Sequence, residues 1–189
     1  MARHFPSCVA IDISQHMIQK ADALYQYAHC QYLVGSGTRL PFADSTFTFI
    51  YSNIVLQHMP ARFSEQYLRE FVRVLAPSAI LVFGVQDSFI EGDASLLRRI
   101  RRLTRIRTRL QDLLGLSKAR VRMYCLQEGR IRRALRPAEV VDIQFTSAAA
   151  SNFNGNLLFL GEAPAVGWVS KQYCVFKPPQ GELPPNCAV

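Results

Sequence analysis

Residues 8–18, CVAIDISQHMI, constrain the fold more than any other stretch of the chain. The short apolar run Val9-Ala10-Ile11 closes on an acid, Asp12, and Ser14 stands where a helix N-cap is expected. Met17, Ile18, Ala21, Leu24, Tyr25 and Ala28 then recur at helical spacing. A buried strand that ends in a carboxylate and turns straight into a helix presents that carboxylate at the carboxyl edge of a sheet. Open α/β sheets bind nucleotide-like ligands at that edge, where an acid can accept hydrogen bonds from both ribose hydroxyls. Capping the helix that follows is the other role open to Asp12.

The alternation continues. Cys30 to Val34 reads as a second strand closing on Gly35-Ser36-Gly37. The turn-rich connection Leu40-Pro41-Phe42-Ala43-Asp44 leads into Phe47–Tyr51, which is apolar on both faces, as a buried parallel strand is. A short helical piece carries Leu56, Gln57 and His58. Ser64 is expected to cap a helix with Leu68, Phe71, Val72 and Leu75 on one face, and Pro77 to stop it. Ala79 to Val85 is the next strand, with Gln86-Asp87 at its carboxyl end. Strand alternating with helix indicates α/β with a mainly parallel sheet. Further on, 95–114 reads as an amphipathic helix. Two further strands, 139–146 and 171–177, flank a long loop and are expected to add an antiparallel edge.

At 189 residues and 49% hydrophobic, the chain can bury one good core, so 1–177 is expected to form one domain. No apolar run is long enough to span a membrane, and MARHFPSC lacks the apolar centre of a secretory signal. Five cysteines with no CxxC pair suggest neither a disulfide framework nor a zinc site, and a cytoplasmic location fits. His4, His16 and His29 have no clustered acidic or cysteine partners, so no metal is expected. The net charge of +8 is concentrated: 98–136 holds fourteen Arg or Lys against Asp112 and Glu128. A basic helical insert at about 88–136 invites a nucleic-acid or anionic-membrane reading. Its regular apolar stripe and its lack of interleaved aromatics favour a helix that packs on the core or caps a site mouth, and no nucleic-acid partner is expected. The Pro-rich end, 178–189, reads as a disordered tail.

VAIDIS, GSGTRLPFADSTF, SNIVLQHM, LREFVRVLAP and ILVFGV, in this order and spacing, resemble the class I S-adenosylmethionine-dependent methyltransferases, type 11 subgroup. The resemblance implies a Rossmann-like sheet with an antiparallel C-terminal strand, and S-adenosyl-L-methionine as cofactor. It implies that Asp12 binds the cofactor ribose, that Ile13 and Met17 flank the adenine, and that Ser36, Gly37 and Thr38 form the turn near the adenine amino group. Asn53 and Ile54 fall where the methionine moiety is met. Ser36 stands where the family usually has an acid, and a neutral hydrogen bond there is about half as strong as a charge-assisted one. Pro77-Ser78-Ala79 and Thr48 are smaller departures. The family's first strand and GxGxG loop should precede Phe5, so the resemblance implies a fold that is N-terminally incomplete and a truncated reading of a longer gene. The missing strand would lie between those ending at Asp12 and Asn53, leaving two strand edges unpaired.

Methyl transfer from a sulfonium is an in-line displacement governed by positioning, with a base needed only where the acceptor loses a proton. His58 and Asp87 follow predicted strand ends, but a backbone-satisfied histidine and a helix cap describe them equally well, and no catalytic residue is assigned. A nicotinamide oxidoreductase shares the acid after the strand but not the LPF-x4-F stretch or the RVL-Pro helix end. The resemblance implies transfer of a methyl group to a small-molecule or metabolite acceptor. A non-catalytic fragment that binds through its basic helix is the alternative.

Overall fold

The structure, a computed structural model, describes residues 2–35, 37, 39–90, 123–146, 159–160 and 167–179. Within it, β1 (Cys8–Asp12) and β2 (Cys30–Val34) pair in parallel, in register from Cys8 opposite Cys30 to Asp12 opposite Val34. The crossover between them is α1 (Gln15–Leu24), capped as expected: the Ser14 hydroxyl accepts the Met17 N–H at 3.3 Å. None of its residues is buried.

The remaining strands are β3 (Phe47–Ser52), β4 (Leu75–Ile90), β5 (Glu139–Thr146), β6 (Phe159–Leu160) and β7 (Gly167–Lys177). They form a second sheet in the order β3-β4-β7-β5-β6. Among the described strands only β3 and β4 pair in parallel in it, and β7 lies antiparallel between β4 and β5. The expected mainly parallel sheet is therefore a two-stranded parallel sheet beside a mixed five-stranded one. Apolar patterning reports burial of a strand's faces, not its direction, and β7, with Val169, Tyr173 and Val175 buried, takes an antiparallel position. Among the described residues β1 and β3 share no ladder. Phe5, just ahead of β1, instead stacks on Phe49 of β3 with ring centroids 5.1 Å apart.

Among the described residues, two helices pack with the larger sheet: α2 (Ala61–Val74) and α3 (Glu128–Ala134), the latter a short helix within the basic helical insert expected at about 88–136. Leu68, Leu81, Phe83, Ile131, Tyr173 and Val175 are fully buried between them and the sheet. Each such side chain contributes about 1.5–3 kcal/mol by leaving water. The Phe83 and Tyr173 rings stack at 5.2 Å. Lys177, itself buried, donates from Nζ to the Val72 and Leu75 carbonyls at 2.9 and 2.5 Å, satisfying acceptors orphaned at the end of α2.

Several boundaries differ from expectation. α2 begins after Pro60, and Ser64 is buried inside it, donating its hydroxyl to the Leu56 carbonyl at 3.0 Å. β4 starts four residues before Ala79, with Pro77 and Ser78 in a register shift between Leu75 and Ile80. There a missing N–H breaks no ladder bond. β7 starts at Gly167, not 171, and β6 lies within the expected loop. The helix expected at 95–114 and residues 180–189 of the tail lie outside the described residues.

Candidate functional site

Asp12 ends β1 with its side chain exposed, and its Oδ1 accepts the Ser14 N–H at 2.7 Å. One carboxylate oxygen thus braces the start of α1, which supports the capping role without removing the carboxylate from solvent. Beside it, Ile13 is 77% and Met17 52% exposed. Two large apolar side chains standing in water next to an exposed acid suit a ligand with a flat apolar part and vicinal hydroxyls. Gly35 closes the small sheet by donating its N–H to the Asp12 carbonyl at 2.8 Å. Ser36 and Thr38 lie outside the described residues. Gly37 between them has φ of +85°, a conformation natural to glycine, and a Cβ built there would meet nothing within 4 Å.

The connection from Gly37 to Asp44 is held by one face of α2. Tyr67, Glu70 and Arg73, spaced three apart, engage successive groups along it. The Tyr67 hydroxyl donates to the Gly37 carbonyl at 2.7 Å. Glu70 accepts the Leu40 N–H at 2.9 Å. Arg73 donates to the Leu40 and Phe42 carbonyls at 3.0 and 2.8 Å and to Asp44 at 2.7 Å. Arg73 also bonds Glu70 through two nitrogens, and this, aided by the Leu40 N–H, holds the Glu70 carboxyl below its ordinary value against the opposing effect of burial. Burial, helped by the charge of Asp12, pushes the Tyr67 hydroxyl upward.

At the end of β3, Ser52 is buried and Asn53 half-buried. Ile54 follows with φ of +59°, a strained value for a β-branched residue. The Asn53 amide lies across Gly84 of β4, where an added Cβ would come within 2.5 Å of Asn53 Oδ1. Only glycine leaves Asn53 that place.

A polar chain runs outward from the larger sheet. The buried Ser170 hydroxyl donates to Gln86 Oε1 at 2.9 Å, and Gln86 Nε2 donates to Gln57 Oε1 at 3.2 Å. Gln57 Nε2 lies 3.4 Å from Nε2 of the exposed His58. Asp87 is not a helix cap, because β4 continues through it to Ile90. Its carboxylate faces Lys171 Nζ at 3.3 Å, and Glu128 shares that lysine at 3.5 Å. Of the basic segment, Arg130 pairs with Glu65 and Arg132 with Glu128, while Ile131 between them is fully buried. This part of it packs on the core. Among the described residues, no three His, Cys, Asp or Glu side chains gather as a metal site, and no helix is long and apolar enough to cross a membrane.

The structure thus brings Asp12, Ile13, Met17 and Gly37 to one end of the small sheet, and Asn53 and Ile54 to the corresponding end of β3. Sequence reasoning missed Tyr67 and Gly84. The i, i+3 polar row opposite a turn-rich connection was the available signal for the first. Nothing local marks the second. A shallow depression lined by Gln19, Asp22, Ala23, Gln26, Tyr27 and Ala28 lies at the opposite end of α1 and has none of this chemistry.

Residues 1–83 match the family model of a methyltransferase domain, type 11. That stretch carries the methyltransferase-domain match, to a family within the class I S-adenosylmethionine-dependent methyltransferases, whose cofactor is S-adenosylmethionine. No curated protein sequence matches the chain. Among solved structures, a protein of Pyrococcus horikoshii OT3 superposes with a TM-score of 0.58 at 18% identity, over 94% of this chain and 74% of that one. A SAM-dependent methyltransferase of Methanosarcina mazei gives 0.56 at 16%, over 92% and 83%. The N-methyltransferase NodS of Bradyrhizobium japonicum WM9, solved with S-adenosyl-L-homocysteine, gives 0.56 at 14%, over 94% and 69%. At these identities the likeness is one of fold.

Proposed function

We propose that the chain holds S-adenosylmethionine at the end of β1 and transfers its methyl group to a small-molecule or metabolite acceptor in the cytoplasm. The observation that carries this reading is the exposed Asp12 carboxylate flanked by the exposed side chains of Ile13 and Met17, with the open Gly37 turn beside it. When bound, the cofactor supplies an electrophilic methyl on a sulfonium. Asp12 would accept from the ribose hydroxyls, Ile13 and Met17 would cover the adenine, and Gly37 with Ser36 and Thr38 would meet its edge. Asn53 and Ile54 would meet the methionine end. The protein's task is then orientation and exclusion of water along the line of transfer. The ion-paired Asp87 and the exposed His58 border the neighbouring strand ends, where an acceptor would approach.

The test is S-adenosylhomocysteine binding to the parent chain and two variants. Losing a hydrogen bond to a charged partner costs roughly 1.5–3 kcal/mol, so Asp12→Ala should lose about tenfold to hundredfold in affinity, with Asp12→Asn between it and the parent. Asp12→Ala should also lose about 1 kcal/mol of stability with the Ser14 N–H bond, an acceptor that Asp12→Asn retains. Unchanged affinity with about 1 kcal/mol less stability in Asp12→Ala would leave Asp12 a helix cap only. A second reading, a non-catalytic binding module, is favoured by the absence, among the described residues, of a ladder between the two sheets. Failure of the parent to bind S-adenosylhomocysteine at all would select it.

A further inference from the structure

We propose that Tyr67 is a positioning residue for the adenosine end of the cofactor, acting through the Gly37 carbonyl. The inference rests on the cofactor reading above and adds a residue that the resemblance does not supply. Tyr67 belongs to α2, which packs on the larger sheet, whereas Asp12 and Gly37 end the strands of the smaller one. Its hydroxyl crosses between them to reach the Gly37 carbonyl at 2.7 Å. The Asp12 charge acts on the same phenol, so acid, turn and hydroxyl share one neighbourhood.

The geometry explains why this contact needs a tyrosine. The ring meets Phe71 edge-on at 5.9 Å, which fixes its direction along the helix. Glu70 and Arg73, one and two turns further on, hold Leu40, Phe42 and Asp44. The path of the connection is therefore set by α2 at its far end, and Tyr67 alone in this row reaches the turn itself. Gly37, at φ of +85°, offers no side chain to anchor the turn. With its carbonyl tied back to α2, Gly37 is held in the neighbourhood of Asp12 before any ligand arrives. Released, it would have to be ordered by the ligand, and that ordering is subtracted from affinity.

Tyr67→Phe removes the donor and keeps the ring. Binding of S-adenosylhomocysteine and of adenosine, followed by ligand-observed NMR, should weaken by the same factor, roughly three- to tenfold, the equivalent of one neutral hydrogen bond. Tm should stay within about 2 °C of the parent, and the Gly37 carbonyl carbon should shift upfield without any ligand. Placing p-aminophenylalanine at 67 returns an N–H donor and should recover the affinity. Unchanged affinity in Tyr67→Phe, while Asp12→Ala loses binding, overturns the role of Tyr67 and leaves the cofactor reading standing. A loss matched by a large fall in Tm, without recovery by p-aminophenylalanine, makes Tyr67 a purely structural contact and also overturns it. A parent that binds neither ligand defeats the cofactor reading, and this inference with it.

Discussion

The two sheets divide the work of the molecule unequally. In the β1-α1-β2 unit no residue of α1 is buried, and Ile13, Met17, Leu24, Tyr25 and Val34 stand about half or more exposed. In the five-stranded sheet Leu81, Phe83, Tyr173 and Val175 are completely enclosed. Stability therefore resides in the larger sheet, while the side chains free to meet a ligand stand on the smaller one. A site needs unsatisfied surface and a core needs the reverse, so the two are built from different strands and joined by a few contacts. Phe5 on Phe49, the packing of Ile11 against the main core, and the Tyr67–Glu70–Arg73 row are three of those contacts.

The contrast is most exposed to test by paired truncations. Phe83→Ala should cost about 3–5 kcal/mol in urea unfolding, because a fully enclosed ring stacked on Tyr173 leaves a cavity. Leu24→Ala, at a position 63% exposed, should stay within about 0.5 kcal/mol. Comparable losses from both would show that the small unit is as much a part of the core as the large sheet.

Ile54→Gly sharpens the comparison at the strand end where site and core meet. A β-branched residue at φ of +59° carries strain of about 1–2 kcal/mol, and glycine returns part of that as chain entropy. The variant should gain up to about 1 kcal/mol in unfolding free energy while weakening S-adenosylhomocysteine binding. A gain in stability with full affinity would detach Ile54 from the site.

The smallest effect expected is one of pH, at the row that joins the sheets. The Glu70 carboxyl is depressed chiefly by its hydrogen bonds with Arg73. A depressed folded-state pKa contributes stability that is whole above the unfolded value, near 4.5, and is lost as pH falls through the folded value. The stability difference between the parent and Glu70→Gln should accordingly be constant from pH 7 to 5 and narrow below about pH 4.5. A difference that widens on acidification would reverse the assigned sign.

What the sequence determined by itself is local or periodic. Val9-Ala10-Ile11-Asp12 followed by Ser14 encodes a strand, an acid and a capped helix, since each depends on neighbours within four residues. The apolar runs at 47–52 and 79–85 encode strands for the same reason, but only the second is buried: β3 lies at the edge of the described sheet with Thr48 and Tyr51 exposed. Tertiary structure alone decided that the strands divide into two sheets and that β7 enters between β4 and β5. It also decided that Asn53 depends on Gly84, and that Tyr67 reaches a carbonyl thirty residues back along the chain. Those are pairings between segments far apart in sequence, where the energy lies in a contact that neither partner's own neighbourhood records.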